Sequence, residues 1–202
     1  MRTYQIAAIA FVAVLATAPA WAGEPTDQLR QRVDEVVRIL DDPAFKEHPA
    51  ERHARVRKIA ETIFDFPDTA RRALGAHWNR RTPQEREEFV RLFSDLLDRA
   101  YISKIDLYQG EKVRYTGESM DGDEAIVKSQ IMTKSGQAMP IDYRMHLKDG
   151  RWLVYDVVIE GVSLVSNYRT QFNKIVQTES YPSLVEKLRA RAAEPAASPG
   201  RR

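Results

Sequence analysis

The chain has 202 residues, with 31 basic against 29 acidic side chains, four histidines and no cysteine. A formal charge of only +2 is no nucleic-acid footprint, so no nucleic-acid partner is expected. Without cysteine, neither disulfides nor thiol chemistry can carry stability or catalysis, and stability has to come from packing.

Residues 1–22 read as a processing segment. Met1-Arg2 gives a positive start, Ile6 to Ala18 is almost wholly apolar or small, and Ala20-Trp21-Ala22 has the small-x-small form that signal peptidase reads. The expectation is cleavage after Ala22 and export, since the apolar run falls short of the ~20 residues of a membrane span. Removing Arg2 with the segment leaves 30 basic against 29 acidic side chains. The remaining chain is long enough for one domain with a substantial core.

That domain opens with helices. Leu29, Val33, Val36, Val37 and Leu40 recur at helical spacing and stop near Asp41-Asp42-Pro43. A second helix is predicted from near Pro49 to Ile63, with Val56, Ile59, Ala60 and Ile63 inside. Its other face carries Arg52, Arg55, Arg57 and Lys58, which reads as a solvated face or a docking surface. Phe64-Asp65-Phe66-Pro67 breaks the pattern, and a short helix from Asp68 to Leu74 leads to Gly75. Thr82-Pro83-Gln84-Glu85 then gives the sharpest helix start, a capping hydroxyl followed by Pro and by a Glu that reaches back to the cap amide. From there Phe89, Leu92, Phe93, Leu96, Leu97, Ala100, Tyr101 and Ile105 make a stripe along the longest helix.

After Gly110 the period changes from helical to alternating. Strands are predicted near 112–120, 124–133, 137–148 and 151–160, separated by Asp121-Gly122-Asp123, Lys134-Ser135-Gly136 and Asp149-Gly150. Four consecutive antiparallel strands form a meander. Ala125, Val127, Ser129 and Ile131 share one face of the second strand, and Ile141, Tyr143, Met145 and Leu147 share one face of the third, so that side packs on helices. The fourth strand has Leu153, Val154, Val157, Val158 and Ile159 on both faces and is expected to be covered on both. Gly161 permits a corner, after which Val162, Leu164, Val165, Tyr168, Phe172 and Ile175 form a further helical stripe. A last helix runs from about Pro182 to Ala192, and residues 193–202 are a small-residue, Pro-rich tail expected to be disordered. The fold class is α+β: N-terminal helices and a long central helix packed on a curved four-stranded antiparallel meander, closed by C-terminal helices.

Catalytic and metal motifs are absent. His48, His53, His77 and His146 form no HExxH or other ligand spacing, so no metal is expected, and no cofactor is expected either. There is no GxSxG elbow and no phosphate-cradling Gly-rich loop. Asp142, Asp156 and Glu160 lie on or beside adjacent strands and make the one carboxylate set with acid–base potential. Polar residues are expected on an outer sheet face in any case.

Two blocks carry a family resemblance. Leu74-Gly75, Trp78, Thr82-Pro83, Phe89, Phe93, Leu97 and Tyr101 form the first. The second is Gly150-Arg151-Trp152-Leu153-Val154-Tyr155-Asp156-Val157, then Glu160-Gly161-Val162-Ser163-Leu164, Asn167-Tyr168-Arg169 and Phe172. Together they resemble the MlaC, or toluene-tolerance, family over nearly all of the chain after residue 22. The resemblance implies a non-enzymatic periplasmic lipid carrier. Residues 23–192 would be one lipid-binding domain that takes phospholipid, or a hopanoid-type lipid as in a branch of the family. It also implies two partners, an inner-membrane MCE/ABC transporter complex and an outer-membrane lipoprotein complex.

On this reading the pocket lies between the long helix and the concave face of the sheet. Phe89, Phe93, Leu96, Leu97 and Tyr101 form one wall, Val127, Ile131, Tyr143 and Met145 the second, and Tyr155, Val157, Val162, Tyr168 and Phe172 the third. Arg169 is placed near the headgroup or the pocket mouth. Hydrocarbon burial at about 0.8 kcal/mol per CH₂ puts roughly 30 methylenes near ~24 kcal/mol relative to water. Transfer from a bilayer is by contrast near neutral, so a carrier has to match the membrane rather than outbid it. Two other readings of the residues stay open: an exported adaptor protein with a closed core, and an enzyme using Asp142 or Asp156.

Overall fold

The computed structural model describes residues 24–45, 47–102, 107–133 and 136–193. The expected signal segment with its cleavage site, Ile105, the Lys134-Ser135 half of one turn, and the tail from residue 194 lie outside the described residues.

Helix α1 spans Pro25–Asp41 and α2 spans Pro49–Ile63, the latter with Val56, Ile59, Ala60 and Ile63 buried as their spacing requires. Helix α3, Phe66–Leu74, begins two residues earlier than expected. The cause is local: the Asp65 carboxylate accepts the Asp68 amide at 3.0 Å and caps the first turn. Gly75, at φ 57°, ends it. Helix α4, Pro83–Tyr101, starts with the anticipated capping box, Thr82 Oγ1 accepting from the Glu85 amide at 3.2 Å and Glu85 Oε2 from the Thr82 amide at 2.8 Å.

The strands are β1 (Lys112–Asp121), β2 (Glu124–Met132), β3 (Ala138–Lys148), β4 (Arg151–Ile159) and β5 (Val162–Ser163), an antiparallel sheet in sequence order. The fifth, two-residue strand replaces the expected corner. Glu160 and Gly161, both at positive φ, make a tight hairpin, so Val162 pairs with Ile159 instead of entering the helix. Helix α5, Leu164–Thr178, therefore starts two residues later than predicted, and α6, Tyr181–Ala193, follows it and takes in Ala193, the first residue of the expected tail.

The register aligns Ala125 with Met145, Val127 with Tyr143 and Ser129 with Ile141, which puts the two anticipated apolar faces side by side. A bulge on β4 shifts the ladder between Arg144 and Met145, so that Met145 opposes Val154 and Arg144 opposes Asp156. Strand β4 is buried from Trp152 to Asp156 without interruption, and helices cover both its faces. Its free edge takes Phe64 as an isolated parallel bridge to Val154, the Asp65 amide donating to the Val154 carbonyl at 2.9 Å.

Apolar side chains form two cores. One joins α1 and α2 to the sheet: Leu29, Ile59, Ile63, Ala125, Val127, Met145, Trp152 and Val154, with Val33, Val36, Ile39, Tyr143 and Val157 packed on it. The other lies within the bundle of α3, α4, α5 and α6 and is built on Leu74, Phe89, Leu92, Phe93, Tyr168, Phe172, Leu184 and Leu188. The face of the sheet that the sequence turned toward the long helix is thus covered by α1 and α2, and α4 packs on α3 and α6.

Candidate functional site

The two cores meet at β4. Phe93 and Leu97 of α4 and Leu164 and Val165 of α5 face Phe64, Thr69, Tyr155, Asp156 and Val157 across an almost wholly apolar crevice of about 30 Å³. Small-molecule pockets usually have about 300–1,000 Å³, so this seam is closed. Its walls belong to different cores: Phe93, Leu97 and Val165 to the helical bundle, Phe64 and Val157 to the helix-backed sheet.

Polar bridges join elements of the two cores. In one, Arg57 of α2 reaches α4, its guanidinium 3.0 Å from Asp95 Oδ1 and 3.0 Å from Asp98 Oδ2, with Glu61 at 3.4 Å. In another, the buried Asp156 carboxylate joins β4 to the start of α5: it accepts the Val165 amide at 3.0 Å and the Ser163 hydroxyl at 2.6 Å, with Arg144 at 3.2 Å. Thr69 Oγ1 of α3 donates to the carbonyls of Asp65 at 2.8 Å and Tyr155 at 3.2 Å. Asp156 therefore serves as a helix anchor, which leaves neither of its oxygens free for acid–base work.

Of the residues the sequence singled out, Phe93, Leu97, Tyr155 and Val157 line the seam together. Phe89, Leu96, Tyr168 and Phe172 lie behind it in the bundle core, where Phe93 packs edge-on against Tyr168 and Phe172 with ring centroids 5.1 and 5.2 Å away. Burial first, and then the nearby Tyr101 oxygen, push the Tyr168 phenol up to about 12. Val127, Met145 and Tyr143 are in the other core, under α1 and α2. Ile131, opposite Met139, is half-buried, Tyr101 is a partly exposed helix end, and Val162 is 56% exposed on β5.

Arg169 is exposed on α5. Its aliphatic stem lies over Gly75, where an added Cβ would come within 3.3 Å of Cδ, and its guanidinium is 3.4 Å from Ser166 Oγ. Sequence reasoning did not single out Phe64, Thr69, Leu164 or Val165 for the site. The signal for Phe64 was the break in helical spacing at Phe64-Asp65-Phe66-Pro67, which proves to be a strand bridge. Arg72 covers the outer end of Tyr155, 3.7 Å above its ring, while the Tyr155 hydroxyl donates to Glu124 at 3.2 Å. Among the described residues no group of three or more His, Asp or Glu has metal-holding geometry.

A helical bundle closing on a helix-backed meander is a fold this chain shares with a solved protein. A phospholipid-binding protein from Ralstonia solanacearum, solved in complex with a phospholipid, superposes with a TM-score of 0.76 over 85% of this chain and 98% of its own, at 24% identity. The chain belongs to the MlaC family, whose model, described as MlaC protein, matches residues 30–190. Among curated relatives, the intermembrane phospholipid transport system binding protein MlaC of Haemophilus influenzae is 24% identical over 61% of this chain and 60% of its own length. The toluene tolerance protein ttg2D of Pseudomonas putida is 21% identical over 66% of this chain and 63% of its own. The chain thus spans less than two thirds of the length of these two curated relatives. These descriptions lend no support to the hopanoid branch.

Proposed function

We propose that this protein is a periplasmic phospholipid carrier, exported by a signal peptide cleaved after Ala22, with residues 23–192 as one lipid-binding domain. The observation that carries the reading is the seam: two separate apolar cores meet through Phe93, Leu97, Val165, Phe64, Tyr155 and Val157 with almost no polar lining. Separating two cores at such a boundary exchanges protein–protein for protein–hydrocarbon contact. Inserting chains elsewhere would split a single close-packed core and forfeit the dispersion and burial that hold it together.

Such a carrier stays near neutral against a membrane, because acyl chains leave one apolar environment for another. Direction then has to come from its partners. A relative described as the binding protein of an intermembrane phospholipid transport system supports transporter partners, and we propose an inner-membrane MCE/ABC complex and an outer-membrane lipoprotein complex in that role. Among the described residues no helix is long and apolar enough to cross a membrane, which suits transport through an aqueous compartment.

The test is Leu97→Trp, which fills the seam. Transfer of labelled phospholipid between donor and acceptor vesicles should fall at least about tenfold, with a stability change inside the ~1–3 kcal/mol of overpacking. Unchanged transfer by a folded variant would place the chains elsewhere.

A further inference from the structure

A larger hollow lies outside the seam. A groove of about 320 Å³ runs between α5 and α6, at the lower end of the range for small-molecule sites. Leu96, Phe172, Ile175, Leu184 and Leu188 form its apolar floor, and Gln171, Lys187 and Arg191 stand on its rim. From Tyr168 to Ile175, and again from Leu184 to Arg191, the helices run about 10 Å along it. The layer of Phe93, Tyr168 and Phe172 rings separates it from the seam.

The rim has one sign of charge. Lys187 is 3.1 Å from Glu179 and thus partly neutralised, whereas Arg191 makes no ion pair with a carboxylate among the described residues. Its guanidinium is near enough to the Tyr168 phenol to favour the ionised oxygen, against the larger effect of burial. Gln171 adds an amide, which shares its NH₂ with Asn167 at 3.2 Å. Among the described residues no carboxylate lines the groove. Hydrocarbon matches the floor and an anion matches the rim. The chain's own tail from residue 194 does not match the floor, since EPAASPGRR has no large apolar side chain.

We propose that the α5–α6 groove binds a single acyl chain with a carboxylate or phosphate head, with hydrocarbon on Leu96, Phe172 and Leu188 and the anion against Arg191 and Lys187. A groove of about 320 Å³ has room for one chain rather than two, so a fatty acid or a lysophospholipid is the ligand class. This site is separate from the seam and does not rest on the phospholipid reading.

Calorimetric titration of residues 23–202 with dodecanoate tests it, with dodecanol as the uncharged counterpart. The site predicts one dodecanoate per chain, bound about fivefold or more tightly than dodecanol. Arg191→Glu with Lys187→Glu, both exposed and so harmless to folding, should remove that preference. Ala190→Trp, which fills the groove from its exposed rim, should abolish binding while co-purified phospholipid is unchanged. Equal binding of dodecanol, or of dodecanoate by Ala190→Trp, overturns the proposal. So does loss of phospholipid along with dodecanoate in Ala190→Trp, which would make groove and seam one cavity. Leu97→Trp should do the reverse, losing phospholipid and keeping dodecanoate. If it keeps both, the seam fails and the groove stands. Titration with lysophosphatidylglycerol beside dodecanoate shows which head the rim prefers.

Discussion

Replacing Asp156 by alanine removes the acceptor that fastens α5 to β4. The carboxylate is buried, and its three partners differ in weight. The buried Val165 amide, 3.0 Å away, loses a hydrogen bond to a charged group, worth about 1.5–3 kcal/mol. Loss of a negative charge at the N-terminus of α5 adds about 0.5–1 kcal/mol. Arg144 is 41% exposed, so its pairing is discounted to about 0.5 kcal/mol or less. Ser163 keeps its role as helix cap through the Ser166 amide at 3.0 Å and adds little. The expected loss is about 2–4 kcal/mol, or roughly 5–15 °C in Tm for a chain of this size. Asp156→Asn, which keeps one acceptor oxygen, should cost about half as much. Urea unfolding followed by circular dichroism measures both. A loss below about 1 kcal/mol for the alanine variant would refute the anchoring role and return Asp156 to the residues with a spare carboxylate.

Acid should reveal Asp65 and Asp68. Burial pushes Asp65 up, but the hydrogen bond from Lys148, the Asp68 amide, the Lys148 charge and the His146 ring together hold it below the usual carboxylate range. Asp68 behaves alike, with burial outweighed by Arg72 and Arg71. A carboxylate depressed by folding contributes stability that is fully present above its unfolded pKa of about 4 and is lost as pH falls through the folded value. The Tm should therefore fall below about pH 4, and Asp65→Asn should flatten that slope; an unaltered slope would contradict the assignment. Arg57→Ala, at an ion pair with a 44% exposed cation, should cost no more than about 1 kcal/mol. It should nevertheless speed phospholipid release several-fold in a vesicle acceptor assay, because Arg57 bridges the two cores. A release rate equal to that of the native chain would remove the latch.

Where local chemistry decides, sequence and structure agree. The Thr82–Glu85 box, the Asp149-Gly150 turn at positive φ, and the pairing of Ala125, Val127 and Ser129 with Met145, Tyr143 and Ile141 all follow from residue type and period. The burial of Leu153 and Val154 was readable from a strand that is apolar on both sides, whereas Asp156, expected with the polar residues of an outer face, is buried because it anchors α5. What escaped depends on pairings between distant segments. Nothing near Val162 distinguishes a helix start from a two-residue strand until Ile159 is found opposite it. Phe64 finds its partner Val154 only in the folded chain. The basic face of α2 looks solvated in sequence, yet Arg57 meets Asp95 and Asp98 and Arg55 covers the Phe45 ring at 4.7 Å. The residues chosen as pocket walls are apolar, but an apolar stripe does not say which of two cores it joins. The sequence thus identified the aromatic residues of α4 and α5 without showing that α1 and α2 already occupy the face they were paired with.

The most direct measurement is native mass spectrometry of the exported chain, purified from the periplasm without detergent, with organic extraction of what it holds. The account predicts a diacyl phospholipid at one molecule per chain, displaced in Leu97→Trp. An empty and stable native chain, or a bound polycyclic lipid in place of phospholipid, would contradict it.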